Sequence, residues 1–366
     1  MDFKRGITDM PFEILNLIFE NLDYLRYKVS LAQAHEKLAK AFAFHCRNKF
    51  RCLLLDTQLS LDLWDFVIRE CGPTIEEFIY GRCGRAGSSL VLPTVAKHCP
   101  NLKSVRIVFH SLHRKSVPSF LESMKNSLTS IEISQEFSNP STMLLVVSEM
   151  TQLKEFFFKG FVDENVNHLD KLIALEKLSI EDLKYVKPYH VDVLRICASL
   201  KNLRNLTLIR IKMLPYDGPY STLWSSLKYL HVQHCTFSEL PDCPNIEYLN
   251  IENPTCDIVG YALKFILRNG KNLTELYEDS YPPIDANSFL DMLRSCPKLR
   301  LLCSPMEYIK LYSGYLSSMV EILKENGVTP ENPLELIVSR RIKWKWFRRL
   351  LRCTPDNELI DLYHTW

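Results

Sequence analysis

The densest grouping of possible metal ligands or nucleophiles in the chain is His-Val-Gln-His-Cys, where His231, His234 and Cys235 fall close together. In an extended segment His231 and His234 face opposite sides, and no fourth ligand stands at a finger-like spacing, so no metal is expected there. The twelve cysteines contain no C-x-x-C pair and are spread along the whole chain, so buried free thiols are expected. HExxH, GxSxG and a Gly-rich phosphate loop are all missing, and glycine is scarce at 11 residues. These residues point to recognition and away from catalysis: no catalytic residue, metal or cofactor is expected. The strongest local charge is SRRIKWKWFRRLLR, with seven basic and no acidic residues from Arg340 to Arg352. As a helix it would place Ile342, Trp346, Phe347, Leu350 and Leu351 on one face, a cap for the chain's end or a polyanion-binding surface.

The elements that must position such residues follow from a repeat. A Leu or Ile with apolar residues three and five positions later recurs from Ile75, Leu102, Leu128, Leu153, Leu175, Leu203, Leu227, Ile246, Leu273 and Leu299. The mean spacing is about 25 residues. Only Glu278 and Ser304 break the apolar rule at the tested positions. Strings such as NSLTSIEI, KNLRNLTL and SSLKYLHV resemble the LxxLxL core of leucine-rich repeats, short parallel strands whose alternate side chains enter a shared core. Stretches such as SVPSFLESMKNS and DANSFLDMLRSC predict helices for the return segments, and Pro241 and Pro244 predict a loop or 3-10 turn between Leu227 and Ile246. Cys83 and Cys235 stand where such repeats turn the chain out of the strand, and Cys99, Cys243 and Cys296 stand at helix ends. The sequons at Asn205 and Asn272 carry no assigned function.

At 366 residues a single core has usually stopped growing, and a repeat array satisfies that limit by extending in one dimension. The net charge of +2 is too small for a polyanion binder acting over its whole surface. No apolar stretch suits a signal peptide or a membrane span, so an intracellular location, cytoplasm or nucleus, is expected.

Before Ile75 the pattern is helical instead. Pro11 suits a first helical position and Glu13 a first turn, and Ile14, Leu15, Ile18, Phe19 and Leu22 form an apolar stripe. Leu31, Ala34, Leu38, Ala41 and Phe42 repeat that spacing in what reads as a second helix. Met10-Pro11-Phe12-Glu13-Ile14-Leu15 resembles the Leu-Pro-x-Glu-x-Leu string that opens an F-box, and residues 7 to about 50 resemble that motif as a whole. Its closing Val-Cys-x-x-Trp-like string is replaced here by Ala34-His35 and Leu38.

An F-box followed by leucine-rich repeats resembles the substrate receptor of an SCF-type ubiquitin ligase. That resemblance implies that Pro11, Glu13, Ile14, Leu15, Ile18, Phe19 and Leu22 bind a Skp-type adaptor, and through it cullin and RING subunits. The repeats would bind an unknown protein substrate, with no membrane partner and with nucleic acid disfavoured. The expected fold class is α/β: a short helical F-box over residues 1–50 and a curved leucine-rich-repeat solenoid over 51–310, with a C-terminal helical cap over 311–366. Parallel strands would line the concave face and helices the convex one. Arg106, Phe157, Tyr229, His231, Tyr248 and Tyr277, on or beside the exposed strand positions, are the candidate substrate contacts. The rival readings are a repeat scaffold without a ligase role and a polyanion binder acting through the basic helix.

Overall fold

A typical register of the repeat sends three apolar side chains inward and leaves the residues between them on an open face. Leu203, Leu206 and Leu208 are no more than 3% exposed, while Asn205 and Thr207 between them are only half-buried. Burying one such leucine contributes about 2 kcal/mol, so a register supplies several. The computed structural model describes residues 6–55, 59–80, 91–109, 115–135, 143–183, 188–215, 224–256, 260–279 and 283–364. Cys83 lies outside the described residues. The chain divides into two units, Met1–Phe161 and Val162–Trp366.

The first unit opens with three helices, α1 (Phe12–Glu20), α2 (Leu25–Gln33) and α3 (Glu36–Cys46). The expected single second helix is two, because His35 adopts an extended backbone and its Nδ1 accepts the Lys37 N–H at 3.1 Å, capping α3. Repeats follow as β1 (Cys52–Leu55), α4 (Leu61–Cys71), β2 (Glu77–Tyr80), α5 (Val91–His98), β3 (Ser104–Phe109), α6 (Ser116–Met124), β4 (Ser130–Gln135), α7 (Met143–Ser148) and β5 (Glu155–Gly160). Strands β1 to β5 pair in parallel in chain order, with α4 to α7 packed side by side along one face.

The second unit continues the same scheme with β6 (Lys177–Asp182), β7 (His190–Val191), α8 (Val193–Ser199), β8 (Asn205–Ile209), β9 (Lys212–Met213), β10 (Tyr229–Gln233), β11 (Thr236–Phe237), β12 (Tyr248–Glu252) and β13 (Thr255–Cys256). It ends with α9 (Tyr261–Asn269), β14 (Glu275–Asp279), α10 (Ala286–Ser295), β15 (Leu301–Ser304), α11 (Ser313–Glu325), β16 (Leu334–Val338), α12 (Arg341–Leu351) and β17 (Ile360–Tyr363). The long strands form a parallel sheet in the order β6-β8-β10-β12-β14-β15-β16-β17, and the two-residue strands form a second one, β13-β11-β9-β7. Between β10 and β12 the return holds no helix, only β11 and a loop with Pro241 and Pro244.

Repeats extend beyond both ends of the expected period. Leu53 pairs in register with Phe78, so β1 belongs to a repeat anchored on Phe50, and β1 and α4 precede the first anchor read from the sequence. Leu336 pairs with Leu302 and Leu362 with Leu336, so β16 and β17 carry the sheet through residues 311–366. That segment is more repeat than cap, and α12 is the return helix between β16 and β17. Its anchor at Pro333 and the longer return through α11 hid the period.

Side chains bind each repeat to the one before it. Asn101, Asn202, Asn245 and Asn272, each just before an anchor, donate through Nδ2 to Pro73, Ile173, Ser225 and Pro244 carbonyls at 2.8, 3.3, 2.8 and 3.0 Å. Asn272 of the second sequon is thus a structural amide. Strands exit through residues with left-handed backbone: Arg210, His234 and Asn253, with φ of 58°, 52° and 44°. Their N–H groups donate to the Gln233, Glu252 and Asp279 carbonyls at 2.8 to 2.9 Å, extending each ladder by one bond. The buried Cys235 thiol accepts the Ile211 N–H at 3.4 Å and lies 3.2 Å from the Leu208 carbonyl, so it holds the turn as its position predicted.

Candidate functional site

Three surfaces hold the residues that the sequence singled out. The first is α1. Leu15 and Phe19 are 1% and 0% exposed, with Phe19 against Phe42 at 5.8 Å and against the His45 ring at 5.7 Å. His45 Nδ1 lies 2.9 Å from Asn16 Oδ1, and its Nε2 faces Lys49 and Lys28 at 2.9 and 3.3 Å. Burial and the two ammonium groups lower the His45 pKa to about 4, so the ring is neutral at pH 7 and joins α1 to α3 by hydrogen bonding. The seven candidate adaptor contacts therefore divide: Leu15 and Phe19 are core, Ile18 and Leu22 are half-buried, and Pro11, Glu13 and Ile14 are exposed. Leu17, which the stripe omitted, is 51% exposed beside Ile14 at 44%. Met10, Phe12, Tyr24, Tyr27 and Phe44 also leave large apolar area in water. None of these five stands on either predicted stripe, so helical spacing gave no sign of them.

The second surface is the open side of the strands, taken unit by unit. In the first unit, Arg106 Nε meets Glu132 Oε2 at 2.7 Å on the neighbouring strand, and Phe157 is half-buried on β5. In the second unit, register places nine residues in a grid over β10, β12 and β14. One row is Tyr229, Tyr248 and Glu275; the middle row is His231, Asn250 and Tyr277; the third is Gln233, Glu252 and Asp279. Tyr229 and Tyr248 stack with centroids 4.1 Å apart and planes within 11°, and Tyr277 leans on Tyr248 at 5.5 Å. Asn250, absent from the sequence candidates, is 7% exposed and sits at the centre.

Electrostatics mark this grid. Asn250 Nδ2 and Gln233 Nε2 donate to the two oxygens of Glu252 at 3.0 and 2.7 Å, fixing the carboxylate. Asn250 Oδ1 and His231 Nε2 are buried without a hydrogen-bond partner. Burial lowers the His231 pKa and raises those of Tyr248 and Tyr277, so all three are neutral at pH 7. Burial raises the Asp279 pKa, Arg340 opposes this, and the Glu252 and Glu307 carboxylates add to it. His231, His234 and Cys235 do not converge: Cys235 is in the core, His231 lies on the open face, and exposed His234 stands beyond the strand end. Among the described residues no group of three His, Cys, Asp or Glu side chains could hold a metal ion. Burial raises the Cys99, Cys197, Cys235 and Cys296 thiols to about 12, which makes them packing residues and poor nucleophiles.

The third surface is α12. Its apolar residues do not share one face: Phe347 and Leu351 are buried, whereas Ile342 is 74% and Trp346 56% exposed. The guanidinium of Arg348 lies 5.2 Å from the half-buried Trp344 ring, a cation–π contact.

No family model and no curated protein matches the chain. Solved structures similar to it include an internalin (inlF) from Listeria monocytogenes, 13% identical with a TM-score of 0.47, covering 83% of this chain and 94% of that one. Another is a leucine-rich-repeat protein of Leptospira interrogans, 13% identical with a TM-score of 0.39 over 88% and 98% of the two chains. At these values the assignment as a leucine-rich-repeat type α/β fold rests on the registers and packing of this chain itself. Among the described residues no helix is long and apolar enough to cross a membrane.

Proposed function

We propose that the chain is a non-catalytic recognition subunit that binds proteins at two places, acting as the substrate receptor of an SCF-type ubiquitin ligase. The observation that carries this reading is α1. Its Met10-Pro11-Phe12-Glu13-Ile14 string resembles the start of an F-box, and Met10, Phe12, Ile14 and Leu17 stay in water while Leu15 and Phe19 anchor the helix from beneath. An apolar face held rigidly outward favours association with a partner. In this reading the Skp-type adaptor takes the α1 face, and cullin and RING subunits join through it. The repeats hold the protein substrate. The chain contributes proximity, bringing substrate to a thioester carried by other subunits.

Co-expression with a Skp-type adaptor followed by size-exclusion chromatography tests this. Wild type should elute as a stoichiometric complex, and an Ile14→Asp, Leu17→Asp variant should remain folded, because both sites are exposed, yet elute alone. Soluble wild type that fails to bind would remove the ligase role and leave a repeat scaffold for protein binding.

A further inference from the structure

We infer that the grid on β10, β12 and β14 binds an extended, lysine- or arginine-rich segment of a protein partner, an inference that rests on the protein-binding role of the repeats and gives it a chemistry. Three observations converge. First, the side of the grid toward β14 carries negative charge: Glu252 and Asp279 in one row and Glu275 in another, with Glu307 near Asp279. Arg340 lies near Asp279 but is itself paired with Glu307 at 3.4 Å. The Glu252 carboxylate is aimed by two amide donors and so is preorganised. Second, the Tyr229, Tyr248 and Tyr277 rings form a continuous aromatic surface beside those carboxylates, and an aromatic face next to carboxylates is a seat for a cation on an apolar stem. Third, the buried Oδ1 of Asn250 at the grid's centre lacks a donor, and the neutral His231 beside it has an unpartnered Nε2. Native structures rarely leave such atoms unmatched, so the amide and the ring mark a part of the open face that the chain's own groups do not complete.

Charge repulsion agrees with this direction of recognition. Burial is the main reason the Asp279 carboxyl is held above its ordinary value, Arg340 opposes it, and the Glu252 and Glu307 carboxylates add to it, a cost that an arriving ammonium or guanidinium group relieves. An acidic segment would add to it.

The test is fluorescence polarisation of the full-length chain with three short labelled peptides of one length, alternating serine with lysine, glutamine or glutamate. The lysine peptide should bind tightest, and a Glu252→Gln, Asp279→Asn variant should weaken it about tenfold while leaving the glutamine peptide unchanged. Tyr277→Ala should weaken it by a similar factor. Equal binding of the three peptides, tighter binding of the glutamate peptide, or indifference to both variants would overturn the inference. The adaptor experiment reads α1 and this one reads the strands, so either can fail while the other succeeds.

Discussion

Arg106 on β3 closes an ion pair with Glu132 on β4 at 2.7 Å, and beside it Ser130 donates to Glu155 at 3.1 Å. The same strand positions on β10, β12 and β14 carry stacked tyrosines, a neutral histidine and an asparagine whose Oδ1 has no partner. One backbone scheme thus supports two kinds of open face. Over the first unit these exposed polar groups answer one another across strands. Over the second, apolar rings exclude water from polar atoms that the chain itself does not satisfy. The scaffold sets where side chains stand, and the residues between the core positions decide whether the surface is finished or waits for a partner.

If the two units share one scaffold, the same close approach should be costly in both. A Cβ at Gly72 would lie 2.1 Å from the His98 carbonyl oxygen, and one at Gly270 would lie 2.5 Å from the Cys296 sulfur and 2.9 Å from the Ser295 carbonyl oxygen. Backbone cannot yield as a thiol can. Gly72→Ala should therefore cost roughly 2–3 kcal/mol and Gly270→Ala somewhat less, measured by denaturant unfolding. A negligible cost at either glycine would break the equivalence.

Where the second unit departs from the repeat rule, the departure is paired. Glu278 and Ser304, the two polar residues at the fifth place after an anchor, are 3% and 2% exposed, and Ser304 Oγ donates to Glu278 Oε2 at 3.2 Å across β14 and β15. Ser304 Oγ also accepts the Met306 N–H at 3.3 Å, where the backbone turns with φ 50°. Ser304→Ala should cost about 1–2 kcal/mol by depriving a buried carboxyl of a donor. Restoring both apolar positions with Glu278→Leu and Ser304→Val should recover most of that loss. If the double variant unfolds more easily than the single one, the pair does more than replace two leucines.

Most of the strand register was legible, because an apolar triplet at fixed offsets is a direct imprint of the core. It faded where the anchor changed type: Phe50 before β1 and Pro333 before β16 fill the anchor place without being Leu or Ile. The asparagines that tie repeats together were in plain view just before four anchors, yet an amide's partner lies a whole repeat away and carries no local signal. For the open face, Tyr229, His231, Tyr248 and Tyr277 were legible as outward aromatics. Asn250 was not, because only cross-strand register shows it enclosed by Tyr248, Tyr277 and His231. Helix α12 misled for a related reason. Its wheel sorts apolar from basic residues, but packing on β16 and β17 takes Phe347 and Leu351 and leaves Ile342 and Trp346 outside.

The smallest expected effect sharpens the contrast most. The Arg106–Glu132 pair is about half exposed on both sides, with side-chain exposures of 52% and 44%, so solvent screens it. Pairs of this kind contribute about 0.2–1 kcal/mol. A double-mutant cycle of Arg106→Ala and Glu132→Ala should return a coupling in that range that shrinks further in high salt. Tyr229 and Tyr248 stack across β10 and β12 at the strand positions that Ser104 and Ser130 hold in the first unit, and the same cycle there should give a coupling of about 0.5–1.5 kcal/mol that salt leaves unchanged. The two faces would then differ in the physics of their cohesion as well as in composition: one held by charges that water already serves, the other by aromatic area that gains from being covered. Equal salt sensitivity of both couplings would mean that the tyrosine face is governed by its carboxylates, and the stack would then owe its order to them.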